Sequence, residues 1–173
     1  MGSIIVLTGE GKGKTTSALG MALRAIGHGF KVAFVQFIKG GWIYGELEAA
    51  KRLEPEFEIW PMGKGFVHVD PQNPDPQDVE AARKAWQFAK SKIMSGEYFM
   101  VVLDEINYAI SFGLLDLKDV IETLRQKPPQ VHVVLTGRDA HPRILEIADL
   151  VTEMKEVKHP FYQGVVSRKG IEY

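Results

Sequence analysis

Cysteine is missing from all 173 residues, which excludes disulfides, thiolate metal sites, iron–sulfur clusters and cysteine nucleophiles and is compatible with a reducing cytosol. Neither sign of charge dominates: 21 Lys and Arg face 22 Asp and Glu, a formal net charge of −1 at pH 7. No global field recruits nucleic acid or an anionic membrane, and neither is expected as a partner. No apolar run approaches the ~18 residues that a membrane span requires. The opening Met1-Gly2-Ser3-Ile4 carries no basic n-region, so export is not expected and the cytoplasm is the default location. The histidines His28, His68, His132, His141 and His159 have no ligand spacing, which argues against a zinc site. Also missing are a Ser-His-Asp signature, the kinase catalytic-loop pattern and the guanine-reading Asn-Lys-x-Asp. No internal repeat or linker divides the chain, and 45% hydrophobic content suits a single globular domain spanning 1–173.

What is present is sharper. Thr8-Gly9-Glu10-Gly11-Lys12-Gly13-Lys14-Thr15-Thr16 follows the apolar run Ile4-Ile5-Val6-Leu7 and precedes the helical stretch Ser17 to Ile26. Strand, glycine-rich loop and helix in that order make a phosphate-binding loop. Its glycines let successive N–H groups turn around phosphate oxygens, and the helix N-terminus adds positive potential. Lys14 supplies a point charge for the outer phosphates, and the Thr15 hydroxyl can ligate Mg²⁺ or Mn²⁺. Gly9, Glu10, Gly11, Lys12, Gly13, Lys14, Thr15 and Thr16 are the expected nucleotide-binding residues. The general pattern G-x-x-x-x-G-K-[ST] has glycine where Thr8 stands, a mild departure because Gly9, Gly11 and Gly13 keep the loop supple. Glu10 must point its carboxylate away from the phosphates or be offset by Lys12.

Six apolar, β-rich runs read as strands: Ser3 to Leu7, Lys31 to Ile38, Phe57 to Trp60, Phe99 to Leu103, Val131 to Thr136 and Leu150 to Met154. Helical periodicity lies between them. Ala18, Met21, Ala22 and Ile26 form a stripe that ends at Gly27-His28-Gly29, where a glycine can take the left-handed cap. Asp75-Pro76 reads as the N-cap and first residue of a helix whose Val79, Ala82, Trp86, Ala89 and Ile93 recur at three-four spacing, which puts Trp86 in the core. Asp116 opens another helix, carrying Leu117, Val120, Ile121 and Leu124 and stopped by Lys127-Pro128-Pro129. This alternation defines an α/β chain with a P-loop NTPase-like three-layer fold, a mostly parallel sheet with helices on both faces.

In such a sheet the ligand crevice lies at the strand carboxyl ends. The loops Lys39 to Gly45 and Pro61 to Pro71 leave the second and third strands there, and their Trp42, Tyr44 and Phe66 suit contact with something flat and apolar. The run Phe99 to Leu103 delivers Asp104-Glu105, which is how a P-loop fold presents a carboxylate to the Mg²⁺ that bridges nucleotide phosphates. If the strand continues, the two acids point to opposite sides, leaving one for the metal and the other to act through water or to orient a loop. Val133 to Thr136 likewise delivers Gly137-Arg138, where Arg138 can contact phosphate or a carboxylate. These residues alone describe a Mg-nucleotide protein of open acceptor, a nucleotide kinase or ATPase included.

Further blocks narrow the acceptor. Gln36-Phe37-Ile38-Lys39-Gly40, Gly27-His28-Gly29-x-Lys31-Val32, and the tail Val157-Lys158-His159-x-Phe161-x-x-Gly164 with Gly170-Ile171-Glu172-Tyr173 join the phosphate loop, Val101 to Glu105 and Leu135 to Arg138. Together they resemble the P-loop type of ATP:corrinoid adenosyltransferase over nearly the whole chain. The resemblance implies a homodimeric cytosolic enzyme that transfers the 5′-deoxyadenosyl group of ATP to the cobalt of a Co(I) corrinoid and releases triphosphate. The product is adenosylcobalamin or a precursor. Co(I) is itself the nucleophile, so the protein's task is placement and charge stabilisation. Lys14, Arg138 and Phe66 are then the expected catalytic residues, and Thr15, Asp104 and Glu105 the expected metal ligands.

The resemblance also implies that bound Co(II) loses its lower axial ligand, which brings its reduction within reach of a reduced flavoprotein. A non-catalytic, nucleotide-gated corrinoid carrier is the alternative of the binding class. One loop departs from the family. Where the family resembles Gly-Phe-Thr-Trp, this chain reads Gly65-Phe66-Val67-His68: Phe66 carries over, but the second aromatic is His68, whose imidazole could ligate cobalt. The stretch before the first strand is also shorter than the covering segment of longer members.

Overall fold

A computed structural model describes residues 1–41, 44–65 and 73–172. All six expected strands form: β1 (Ile4–Thr8), β2 (Val32–Gln36), β3 (Phe57–Pro61), β4 (Met100–Asp104), β5 (His132–Thr136) and β6 (Leu150–Glu153). They make one sheet in the order β3-β2-β4-β5-β1-β6, and every neighbouring pair is parallel. Strand ends differ from expectation by a residue or two. β2 stops at Gln36, although the Phe37 N–H still donates to the Asp104 carbonyl at 2.9 Å.

The period-two alternation of the strands sorts the core into two layers. Val6, Val35, Val101, Leu103, Val133 and Leu135 face one side, where α3 (Pro76–Ser95) lays down Ala82, Ala85, Trp86, Ala89 and Ile93. Ile5, Leu7, Phe34, Val102 and Val134 face the other, covered by α1 (Lys14–Ile26) through the small residues Ala18, Ala22 and Ala25, which let helix and sheet approach closely. Trp86 is 3% exposed and belongs to the core, as its spacing indicates. The helix starts are those read from sequence. Asp75 accepts from the Gln77 N–H at 2.7 Å ahead of Pro76, and Asp116 accepts from the Lys118 N–H at 2.9 Å at the head of α5 (Leu117–Gln126). Beyond α1 it is Gly29, at φ 76°, that takes the left-handed turn, while Gly27 stays right-handed.

Three helices were not expected: α2 (Gly45–Ala50), α4 (Ile106–Ser111) and α6 (Pro142–Ile147), together with a 3-10 turn over Pro160–Gln163. Each is too short to print a 3.6-residue period in the sequence. β6 departs from the expectation of a sheet covered throughout. Its four residues are all exposed, with Leu150 at 48% and Val151 at 45%, so it presents an open edge. Among the described residues, no helix is long and apolar enough to cross a membrane.

Candidate active site

Parallel strands bring their carboxyl ends to one edge, and the phosphate loop after β1 and the acids closing β4 meet there with the end of β5 between them. Gly9 at φ 95° and Gly13 at φ 114° hold backbone conformations that other residues avoid. Close approach makes a second demand. A Cβ on Gly9 or Gly11 would lie 2.5 or 2.7 Å from the Met154 carbonyl oxygen. The Gly11 N–H donates to that same oxygen at 2.7 Å, so this one loop N–H turns to the β6 end, against the expectation that successive N–H groups face inward. The N–H groups of Lys14, Thr15 and Thr16 head α1, where no earlier turn supplies acceptors, and they can serve an anion.

Lys14 is only 8% exposed, and its ammonium donates to the carbonyls of Gly9 at 2.7 Å and Gly11 at 2.8 Å. Burial holds its pKa below the ordinary lysine value, with Glu105 pulling the other way. A desolvated cation in such a loop gains strongly from an anionic ligand.

Asp104 is fully buried at the end of β4. Its Oδ1 accepts from the hydroxyls of Thr15 and Thr136, each at 2.8 Å, and Gln36 Nε2 lies 3.4 Å from Oδ2. Burial raises the Asp104 pKa, opposed by the Lys39 charge and by those hydrogen bonds. The chain leaves the strand at once: Glu105 sits at φ 63° as the residue before α4, so the alternation of an extended strand no longer sets its direction. Burial first, and the Asp104 charge second, push Glu105 up to about 7, with Lys14, Lys39 and Arg138 opposing.

Thr15 and Asp104 offer hard oxygen donors side by side at the head of the loop, and this donor set fits Mg²⁺ or Mn²⁺ held jointly with phosphate oxygens. Among the described residues, no group of three or more His, Cys, Asp or Glu could hold a metal ion by itself.

Arg138 meets Glu10 across the mouth of the loop, Nη1 to Oε2 at 3.0 Å. The two side chains are 55% and 62% exposed, so the pair adds little stability. Lys12 does not offset Glu10. It reaches the C-terminal tail instead, donating to the Ile171 carbonyl at 3.0 Å and lying 3.9 Å from Glu172. Phe66 and His68, like Trp42, lie outside the described residues. Tyr44 is described, with Lys39 Nζ 4.8 Å above its ring.

Two polar residues at the site went unassigned in the sequence. Thr136 donates to Asp104 and accepts from the Glu105 N–H at 2.9 Å, aligning both acids. Asn107, 1% exposed on α4, donates to the Gly137 carbonyl at 3.2 Å and holds the turn before Arg138. The available signal for Thr136 was a lone hydroxyl ending the apolar run Val133-Val134-Leu135; Asn107 left none.

The elevated Glu105 pKa has a measurable consequence in the metal-free protein. Because the fold favours protonated Glu105, its contribution to stability is intact below about pH 4.5 and is lost as pH rises through about 7. At ~1.4 kcal/mol per unit, that loss reaches about 3 kcal/mol. Glu105→Gln escapes it, so its melting temperature relative to the parent should climb between those two pH values. A difference that stays constant with pH would contradict the assignment.

The all-parallel three-layer sheet, the glycine loop opening into α1 and the hydroxyl-carboxylate pair between β1 and β4 define a P-loop protein of the α/β class. The family model for the ATP:corrinoid adenosyltransferases BtuR/CobO/CobP matches residues 1–173, and the chain belongs to that family. It is 46% identical over 172 residues to the corrinoid adenosyltransferase of Escherichia coli (strain K12), covering 99% of this chain and 86% of that protein. The corrinoid adenosyltransferase CobA of Salmonella typhimurium (strain LT2) is 44% identical over 172 residues, with 99% and 86% covered. That of Pseudomonas aeruginosa is 43% identical over 173 residues, with 99% and 84% covered.

Proposed function

We propose that this chain transfers the 5′-deoxyadenosyl group of ATP to the cobalt of a Co(I) corrinoid, with triphosphate as leaving group. The observation that carries the reading is family membership over the full chain together with the convergence of Lys14, Thr15 and Asp104 at the phosphate loop. Co(I) attacks the ribose 5′ carbon; the cobalt–carbon bond forms, the carbon–oxygen bond breaks, and its electron pair departs on the triphosphate. Lys14 and the N-terminal N–H groups of α1 stabilise that growing charge, so the loop grips a leaving group. Thr15 and Asp104, with Glu105 next in the chain, are the residues that would hold a divalent cation. When bound, it would supply further neutralisation of phosphate charge. Arg138 exchanges its exposed Glu10 partner for a phosphate oxygen when ATP enters. The chain carries this out in the cytoplasm, with a reduced flavoprotein as electron donor.

Anaerobic incubation with ATP, Mg²⁺ and a chemically reduced Co(I) corrinoid should give a light-sensitive alkylated corrinoid. Recovery of unalkylated corrinoid beside ADP would favour a kinase or ATPase, and no turnover of ATP at all would favour a carrier.

Phe66 occupies the lower face of the corrin in this reading and serves the preparation of Co(II) more than the alkyl transfer. Phe66→Ala should cripple turnover driven by a flavoprotein reductant and be largely bypassed by chemically supplied Co(I). An equal loss in both assays would leave Phe66 an ordinary packing residue. The open β6 edge, with Leu150 and Val151 exposed, supports assembly as a homodimer; sedimentation as a monomer would refute that.

A further inference from the structure

We propose that Gln36 is a positioning residue that clamps the metal-holding Asp104 to Glu46 and so ties the phosphate end of the site to the two loops leaving β2 and β3. The inference rests on the reading of Asp104 given above. Gln36 ends β2 and stands in register opposite Asp104, which ends β4; both are fully buried. Gln36 Nε2 lies 3.4 Å from Asp104 Oδ2 and 3.3 Å from Glu46 Oε1. A carboxamide nitrogen has two N–H groups, one for each carboxylate. Turning the amide over would aim its oxygen at two anions, so its orientation is fixed although both contacts are long.

The remaining oxygen, Gln36 Oε1, is buried and has no hydrogen-bond partner among the described residues. An unmatched buried acceptor costs stability, and leucine or methionine would fill the same space without it. Packing therefore does not explain a glutamine here; its contacts to the two acids do. Thr15 and Thr136 both hold Oδ1 of Asp104, and Gln36 is what holds Oδ2, which fixes the plane of the carboxylate.

From Glu46 the connection runs outward. Lys39 pairs with Glu46 at 2.8 Å and lies over Tyr44. Burial works against the Glu46 charge, but the Lys39 hydrogen bond and charge, a backbone hydrogen bond and the Gln36 contact together outweigh it, and the carboxyl stays below its ordinary pKa. The backbone of the second loop hangs from the same segment. Met62 donates to the Gln36 carbonyl at 2.9 Å, Gly63 to Lys39 at 3.0 Å and Gly65 to Ile38 at 2.7 Å. Gly40 and Gly63 touch so closely that a Cβ on Gly40 would lie 1.7 Å from the Gly63 oxygen. Displacing Gln36 thus disturbs Asp104 on one side and the loops through Gly65 on the other.

The test is Mn²⁺ titrated into the full chain with ATP, read from the free-ion electron paramagnetic resonance signal. Residues that support a metal ligand alter affinity ~10–100-fold, and the long contacts place Gln36→Leu near the low end, at about tenfold weaker binding. ATP affinity in EDTA and the melting curve should change little, whereas a merely structural role would move them together. Glu46→Gln, a milder change at the far end of the clamp, should weaken Mn²⁺ by about threefold and raise the corrinoid KM more than it lowers kcat. It also supplies the test if Gln36→Leu fails to fold. Asp104→Asn calibrates the assay. Weakened Mn²⁺ binding in Asp104→Asn but in neither Gln36→Leu nor Glu46→Gln overturns the clamp alone. Unchanged binding in all three overturns the metal assignment beneath it.

Discussion

Replacing Lys14 with alanine is expected to lower kcat/KM for adenosyl transfer by ~10²-fold or more while leaving the protein folded. In the account above, no other cation is so directly committed to the leaving triphosphate. Lys14 is buried, and its ammonium is fixed by two loop carbonyls at 2.7 and 2.8 Å. A preorganised charge of this kind costs no reorganisation when the carbon–oxygen bond breaks, and a hundredfold loss corresponds to about 2.7 kcal/mol of transition-state stabilisation. The same burial depresses the Lys14 pKa, which means the fold works against the charge when nothing anionic is bound. Removing it should therefore spare the melting temperature of the ligand-free protein. Near-normal turnover in purified Lys14→Ala would remove the loop lysine from the mechanism.

Asp104→Asn should raise the metal concentration that gives half-maximal activity by about tenfold or more, again without loss of folded protein. Asp104 is fully buried and its carboxyl is pushed toward the neutral form. Burial works against its ionised form, and a neutral side chain of the same shape carries no such penalty. Opposite movements of the two properties, metal dependence worse and ligand-free stability unchanged or higher, mark a group retained for binding. Metal dependence unaltered in both Asp104→Asn and Glu105→Gln would reject these acids as the cation's protein partners.

Periodicity made the strands and longer helices legible because each buries a repeated apolar face: Val101 and Leu103 on one side of β4, Val102 on the other. The phosphate loop and the acids after β4 were legible because glycine conformations and strand-end carboxylates are chemical necessities read over a few residues. What lay hidden was long-range. Strand order, with β5 between β4 and β1, brought Thr136 to the same Asp104 oxygen that Thr15 bonds, and a single sequence does not print which strands are neighbours. Glu105 was read as a possible strand residue, yet its left-handed backbone starts α4 instead. Lys12 was the sequence neighbour available to offset Glu10, but Arg138, remote in sequence, is the one that reaches it. Short helices such as α2 hide for a simpler reason, since six residues cannot establish a period.

The most direct test of adenosyl transfer by this chain is the count of triphosphate released against cobalt–carbon bonds formed. ATP, Mg²⁺, enzyme and chemically reduced corrinoid are combined under anaerobic conditions, and the phosphate products are separated by ion exchange. One triphosphate for each alkylated corrinoid is the predicted result, because attack at the ribose 5′ carbon releases all three phosphates in one piece. ADP with inorganic phosphate, formed at a rate indifferent to the corrinoid, would contradict it.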